Sequence, residues 1–111
     1  ETRTVALEVE PEGAEGVAVN GAQLGALCRQ DGINHLVYTG FAINWCLLMS
    51  SGGMVDMARR GFMCSAIRQA VTAVENKETA RDELCKEIAL WRIGVNFGFV
   101  LGNDSLIEAL R

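Results

Sequence analysis

The chain has 111 residues, of which half are apolar and 22% are charged, with a net charge of −4 and a single proline. This composition is typical of one folded domain and excludes a disordered chain, which would combine low hydrophobicity with high charge. The ten basic residues form only one doublet, at 59–60, so no phosphate-neutralising face for nucleic acid is expected. No apolar run is long enough to cross a membrane.

The first elements follow an acidic N-terminal arm, residues 1–16, that we expect to be solvated. Within the arm, apolar residues alternate over 5–9 and weakly predict a strand. Val17 to Val19 predicts a very short edge strand. Asn20 is a suitable N-cap for a helix over 22–30, which Asp31 and Gly32 should end.

The middle of the chain contains two β-rich apolar runs, at 35–39 and 62–67, which predict buried strands. Between them, an apolar segment over 43–60 predicts a helix that breaks at residues 51–53, where serine and two glycines interrupt the pattern.

The last part of the chain predicts a loop over 70–77, a long helix over 77–93 and a strand over 97–101. Asn103 or Asp104 should cap a terminal helix that reaches Leu110. Alternation of strands and helices predicts an α/β fold with a mainly parallel sheet of three or four strands and helices on both faces. We expect one domain over 1–111.

The sequence offers few residues for a metal or cofactor site, and we expect neither. The four cysteines have no CxxC spacing, and the only histidine is His35. Each cysteine lies in an apolar stretch, so we expect reduced thiols and a cytoplasmic location. Core packing is the expected role of the cysteines and methionines alike: Cys28, Cys64, Cys85, Met49, Met54, Met57 and Met63.

One segment carries more specific information. TGFAINWCLL, residues 39–48, resembles the nucleophile segment of the isochorismatase-like cysteine hydrolases. GGMVDMARRGF and SAIRQAVTAVE, residues 52–62 and 65–75, resemble the stretches that follow it in one branch of that family. NGAQLGALCRQDGINHLVYTG, residues 20–40, resembles the helix and strand before it. The resemblance covers about residues 15–110.

The resemblance implies a thiolate that attacks an amide or a related C–N bond. Cys46 would be the nucleophile, and the peptide between Phe41 and Ala42 would be cis. The backbone amides of Ala42 and Cys46 would form the oxyanion hole. A thiol at the start of a helix also lies near unpaired N–H groups that favour thiolate. The alternative for Cys46 is a small buried residue under a packed helix.

The family's aspartate and lysine have no counterpart in this chain. No lysine precedes Lys77, and Asn20 is the polar residue nearest the lysine position. The motif's threonine is replaced by Ile43, and the aspartate of the next strand is replaced by Gln69. A base would have to come from a partner chain or from Glu8, Glu10 or Glu12.

These departures leave two functional hypotheses. The first is a truncated isochorismatase-like hydrolase with little or no activity alone. The second is a non-catalytic dimeric binding or assembly module built on the same half-fold. His35 should lie at the opposite end of its strand from Gly40, which argues against Cys–His catalysis.

The resemblance also implies that residues 17–111 supply about the C-terminal half of the family's six-stranded fold. One edge of the strand at 35–39 would then lack its neighbour, and exposed edges invite pairing. We therefore expect a homodimer through a sheet edge or a helix face, or a second chain that supplies the missing half.

Overall fold

A computed structural model describes residues 12–13 and 15–111 of the chain. Its elements, in chain order, are α1 (Gly21–Gln30), β1 (His35–Phe41), α2 (Cys46–Met49), α3 (Met54–Arg59), β2 (Met63–Thr72), α4 (Leu84–Asn96), β3 (Val100–Leu101) and α5 (Asn103–Ala109). The predicted α/β class is confirmed.

The sheet has three strands in the order β1-β2-β3, and both pairs are parallel. His35 pairs with Met63 and Tyr38 with Ala66, so the predicted parallel pairing of 35–39 with 62–67 is confirmed. Four successive residues of β2, 64–67, are buried. Since neighbouring side chains in a strand point to opposite faces, β2 is covered on both faces.

Helix α1 follows its predicted signals closely. The Asn20 side chain accepts a hydrogen bond from the N–H of Gln23, and Gly32 lies just past the end with φ +70°. The edge strand predicted at 17–19 is wrong, because these residues form no ladder and both valines are exposed. The strand predicted at 5–9 lies outside the described residues.

The helix predicted over 43–60 is two short helices, α2 and α3. The predicted break at 51–53 is confirmed, since the turn between the helices spans it. Residues 43–45 are not helical because the polar groups of Ile43 and Asn44 bond to the last residue of β2 and to the segment that follows it. The N–H of Ile43 donates to the carbonyl of Thr72, and the Asn44 side chain bonds to both backbone groups of Val74.

Strand β2 is longer than predicted, and α4 starts later. Residues 70–72 continue β2 instead of forming a loop, because after an irregularity near Gly40 the register resumes with Phe41 opposite Thr72. The helix predicted from 77 starts at Leu84, since residues 77–83 form turns and Glu83 has a left-handed φ of +50°. The strand predicted over 97–101 is reduced to Val100 and Leu101.

The terminal helix is confirmed with a different cap. Its N-cap is Gly102, which makes no side-chain bond, and the helix ends at Ala109. The N–H of Asn103, the first helical residue, donates to Oε1 of Gln69 at 2.9 Å. The Gln69 side chain, on β2, therefore accepts the hydrogen bond from the helix N-terminus that a serine or aspartate cap would otherwise accept.

The core lies on both faces of β2 and contains only part of the predicted set. Cys28, Cys64, Met54 and Met57 are buried there, as predicted. Cys85 is only partly buried, and Met49 and Met63 are exposed, so their predicted core role is wrong.

A buried polar cluster joins the amino ends of the strands. Ser65 is fully buried, and its Oγ lies 2.6 Å from Nε2 of His35 and accepts a hydrogen bond from the N–H of Phe99 at 2.8 Å. A buried hydroxyl without partners would be costly, so these two contacts stabilise the site. The cluster connects β1, β2 and the segment before β3.

Within the described residues, no helix combines the length and apolar character needed to cross a bilayer.

Candidate functional site

The candidate site begins where β1 ends. The chain leaves the sheet at Phe41 and turns inward, so that Ala42 and Ile43 are fully buried. Asn44 then fixes the turn, because its amide donates to the carbonyl of Val74 at 3.0 Å and accepts from the N–H of Val74 at 2.9 Å. These bonds attach the turn to residues thirty positions further along the chain.

Cys46 is the first residue of α2, and its side chain is exposed. The alternative that Cys46 is a small buried core residue is therefore wrong. Helix α2 contains only four residues, Cys46–Met49, and its N-cap Trp45 makes no side-chain capping bond. Because a macrodipole needs several aligned peptide units, the dipole effect at this thiol is weaker than a helix over 43–60 would provide.

The two amides assigned to the oxyanion hole have no hydrogen-bond acceptor in the described part of the chain. The N–H of Trp45 and the N–H of Leu47 both donate to the carbonyl of Ala42. By contrast, the N–H groups of Ala42 and Cys46 donate to none of the described residues. The peptide bond between Phe41 and Ala42 is cis, as the resemblance implies.

The residues considered as activating partners of the thiol are occupied elsewhere. His35 starts β1, and six residue steps along a strand separate it from Phe41 by about 20 Å. It contacts Ser65 instead. Asn20 caps α1.

Only one of the acidic candidates, Glu12, lies among the described residues, and it makes no hydrogen bond to the thiol. Glu12 is exposed, whereas Glu8 and Glu10 lie outside the described residues. In residues 12–13 and 15–111, the Cys46 thiol makes no hydrogen bond to an acid or to a histidine. Those residues also contain no cluster of three or more potential metal ligands.

Tyr38 makes a hydrogen bond to the turn that follows the helix of Cys46. Its phenol donates to the carbonyl of Gly52, in the turn between α2 and α3, at 2.8 Å. Burial raises the pKa of Tyr38 well above its usual range, and the neighbouring Cys64 thiol adds to this effect. Burial likewise raises the pKa of the Cys64 thiol. Tyr38 therefore remains a neutral donor, and it acts as a structural group.

A cavity of about 220 Å³ lies between α2 and α4. Its lining residues are Asn44, Trp45, Leu48, Cys85, Ile88, Ala89 and Arg92. Three of them, Asn44, Trp45 and Leu48, lie within two positions of Cys46 in sequence, but Cys46 itself is not among the lining residues. The sequence pattern gave no signal for this cavity, because it forms between elements forty residues apart.

Glu75 fixes the start of α4 and thereby one wall of this cavity. Its carboxylate accepts hydrogen bonds from the N–H groups of Cys85 and Lys86, each at 2.9 Å. Partial burial raises the pKa of this carboxyl, but the bonds from Lys86 and Cys85 lower it more strongly, so the pKa lies below its ordinary value. Glu75 thus acts as a charged N-terminal cap from outside the helix.

Neither a family model nor a curated protein sequence matches this chain.

Proposed function

We propose that the protein is a cysteine-dependent hydrolase related to the isochorismatase-like enzymes and acts on an amide or a similar C–N bond. One observation carries the proposal: an exposed thiol follows a parallel strand, and the N–H groups of Ala42 and Cys46 have no acceptor among the residues that the structure describes. Unpaired amides close to a nucleophile are the groups that a developing oxyanion requires.

In this proposal the Cys46 thiolate attacks the carbonyl carbon of the substrate, and a C–S bond forms while the carbonyl π electrons move to oxygen. The N–H groups of Ala42 and Cys46 donate to that oxyanion. Collapse restores the carbonyl and breaks the C–N bond, and the amine leaves with a proton. Water then attacks the thioester, which releases the carboxylic acid and regenerates the thiolate.

The proton that the thiol loses needs an acceptor. Because no acid or histidine of the described residues makes a hydrogen bond to Cys46, the proposal assigns this base to a second chain or to Glu8 or Glu10. A thiol without a base is a weak nucleophile at neutral pH, so slow or absent turnover of the isolated chain is expected.

The second candidate is a non-catalytic binding or assembly module built on the same fold. The observation that favours it is the same lack of a hydrogen-bond partner for the thiol among the described residues. For either candidate we propose a cytoplasmic location, which the four free thiols support.

Thiol reactivity discriminates between the two candidates. We expect alkylation of Cys46 at about pH 6 to be at least tenfold faster in the folded protein than in the urea-unfolded chain, because only an activated site favours thiolate at that pH. Peptide mass spectrometry would follow each cysteine separately, and Cys85 provides an internal comparison. Equal rates for Cys46 in the two states would show that this chain does not activate the thiol, which favours the module.

A second experiment tests nucleophilic attack directly. An activated acyl ester, p-nitrophenyl acetate, should acetylate Cys46 and release one equivalent of p-nitrophenolate in a burst. Cys46→Ala should abolish the burst, whereas Cys85→Ala should retain it. Acetylation spread evenly over the four cysteines would contradict a dedicated nucleophile.

A further inference from the structure

The outward face of α4 carries a row of apolar side chains that no described residue covers. Leu84, Ile88, Trp91 and Val95 are 50%, 47%, 67% and 62% exposed, respectively. We call these four residues the α4 row. The opposite side of the helix already packs in the core through Ala89, Leu90 and Ile93. The row is therefore not used in packing this chain, and four aligned apolar residues exceed the scattered exposure that is normal for a surface.

The spacing of the α4 row is that of a helix–helix seam. Its members follow one another at intervals of four, three and four residues, which is the repeat of a and d positions in packed helix pairs. A small ligand does not require this periodicity, whereas a second helix does. Beside the row, Ile88 lines the same cavity as Trp45, the N-cap residue of α2. Trp45 and Met49 are also exposed, so the apolar surface continues beyond α4.

The charges beside the row favour a second copy of the same helix. Glu87 precedes Ile88, and Arg92 follows Trp91, so the two charges lie on opposite flanks, five residues apart. When two identical helices pack in parallel, residues with this placement face each other across the seam and set the orientation of the pair. In an antiparallel pair, Glu87 would instead lie opposite a glycine of the second helix, and Arg92 would lie opposite a cysteine. No charge pair would form.

The pairing partners of these charges inside the chain are consistent with this arrangement. The Arg92 side chain has no ion pair among the described residues, whereas the Glu87 carboxylate pairs with Arg68. Arg92 of a second copy would therefore bind a Glu87 carboxylate that Arg68 of the same chain already holds in place. Exposed ion pairs contribute little free energy, so their role here is to select orientation.

We propose that α4 packs in parallel against α4 of a second copy about a two-fold axis, with the α4 row as the seam and Glu87 facing the partner's Arg92. This proposal does not depend on the reaction proposed for Cys46.

Light scattering after size-exclusion chromatography tests the surface. We expect twice the 12.0 kDa mass of one chain for the unmodified protein, and the single-chain mass for Trp91→Lys or Leu84→Lys. Leu110→Lys is the control, because Leu110 is also an exposed apolar residue but lies outside the row. It should remain dimeric. Far-UV circular dichroism would confirm that each variant is folded.

Single-chain mass for the unmodified protein at every concentration would overturn the proposal. A folded Trp91→Lys or Leu84→Lys variant that stays dimeric would also overturn it, because the contact would then use another surface. If one lysine variant does not fold, the other and Ile88→Lys decide the matter.

Disulfide trapping tests the orientation. In a Cys46→Ala background, the thiol introduced by Trp91→Cys should link to its own copy in the second chain under mild oxidation. Cross-linking only after mixing the Ile88→Cys and Trp91→Cys chains would show antiparallel packing and would overturn the parallel arrangement. Peptide mapping would identify the linked residues and separate them from native Cys85.

Discussion

Replacement of Gly98 by alanine would place a Cβ atom 2.3 Å from the carbonyl oxygen of Cys64 and 2.6 Å from Oγ of Ser65. The carbonyl oxygen of Cys64 is a backbone atom of the central strand, so it cannot withdraw without a shift of the strand itself, and rotation of the Ser65 side chain would break its bonds to His35 and Phe99. Gly98 has no left-handed φ. A side chain at position 98 is therefore excluded by lack of space and not by the backbone conformation. The space is lacking because the segment before β3 passes close to β2.

The expected cost follows from the contacts that this clash would disturb. The N–H of Cys64 donates to the carbonyl of Phe97 at 3.0 Å, and the N–H of Phe99 donates to Oγ of Ser65 at 2.8 Å. Overpacking costs about 1–3 kcal/mol, and each weakened hydrogen bond adds about 0.5–1.5 kcal/mol. With two bonds weakened, we expect Gly98→Ala to lower the free energy of unfolding by roughly 2–6 kcal/mol.

Gly94→Ala is the matched control, because it lies four residues earlier, in the interior of α4. A Cβ at Gly94 would meet only a methyl group of Val100 at 3.8 Å, which is an ordinary contact. Alanine favours a helix over glycine, so this change should raise the free energy of unfolding by about 0.5–1 kcal/mol.

Urea unfolding followed by circular dichroism measures both changes. If Gly98→Ala stays within about 0.5 kcal/mol of the unmodified protein, the range for a neutral surface change, the close approach of the two backbones is not as described.

The remaining predictions concern two polar groups. Ser65→Ala removes the partner of both His35 and the N–H of Phe99 and should cost about 1–3 kcal/mol in urea unfolding, because two hydrogen bonds of about 0.5–1.5 kcal/mol each are lost; an unchanged midpoint would show that the cluster contributes nothing. Asp56 has a lowered pKa because its carboxylate accepts a bond from the N–H of Gly52 and one from Arg60. A lowered pKa stabilises the fold above the unfolded value of 3.8 and loses its effect as pH falls through the folded value. The stability difference between the unmodified protein and Asp56→Asn should therefore be constant at neutral pH and shrink below about pH 4, and a difference that grows on acidification would contradict this assignment.

Strand pairing could be predicted from the sequence, because continuous apolar runs bounded by glycine are a local signal. The runs at 35–39 and 62–67 therefore indicated the parallel pair correctly. The start of α1 was equally local, since the Asn20 side chain bonds only three residues ahead.

Other boundaries depend on distant contacts and had no such signal. The helix predicted through 43–45 is absent because Asn44 bonds to Val74, thirty residues away. The start of α4 depends on a carboxylate ten residues upstream, Glu75. Propensity cannot indicate such effects, because tertiary partners override it.

Of the candidate site, the resemblance indicated the cis bond between Phe41 and Ala42, whereas the roles that it implies for Cys46 and the two amides stay predictions. The sequence did not indicate that the Cys46 thiol is exposed. The surroundings of the thiol were not predictable, because the nearby cavity depends on how α4 packs against α2. The exposed α4 row was also missed, since a helical apolar pattern does not show which of two apolar faces lies inside.

The cluster of His35, Ser65 and Phe99 has a consequence for synthesis of the protein. Thirty residues separate His35 from Ser65, and thirty-four separate Ser65 from Phe99. The ribosome would therefore have to release the segment around Phe99 before the three strands could be joined by these bonds. Until then, the first two strands would lack the third, and their apolar surface would be open to non-native contacts.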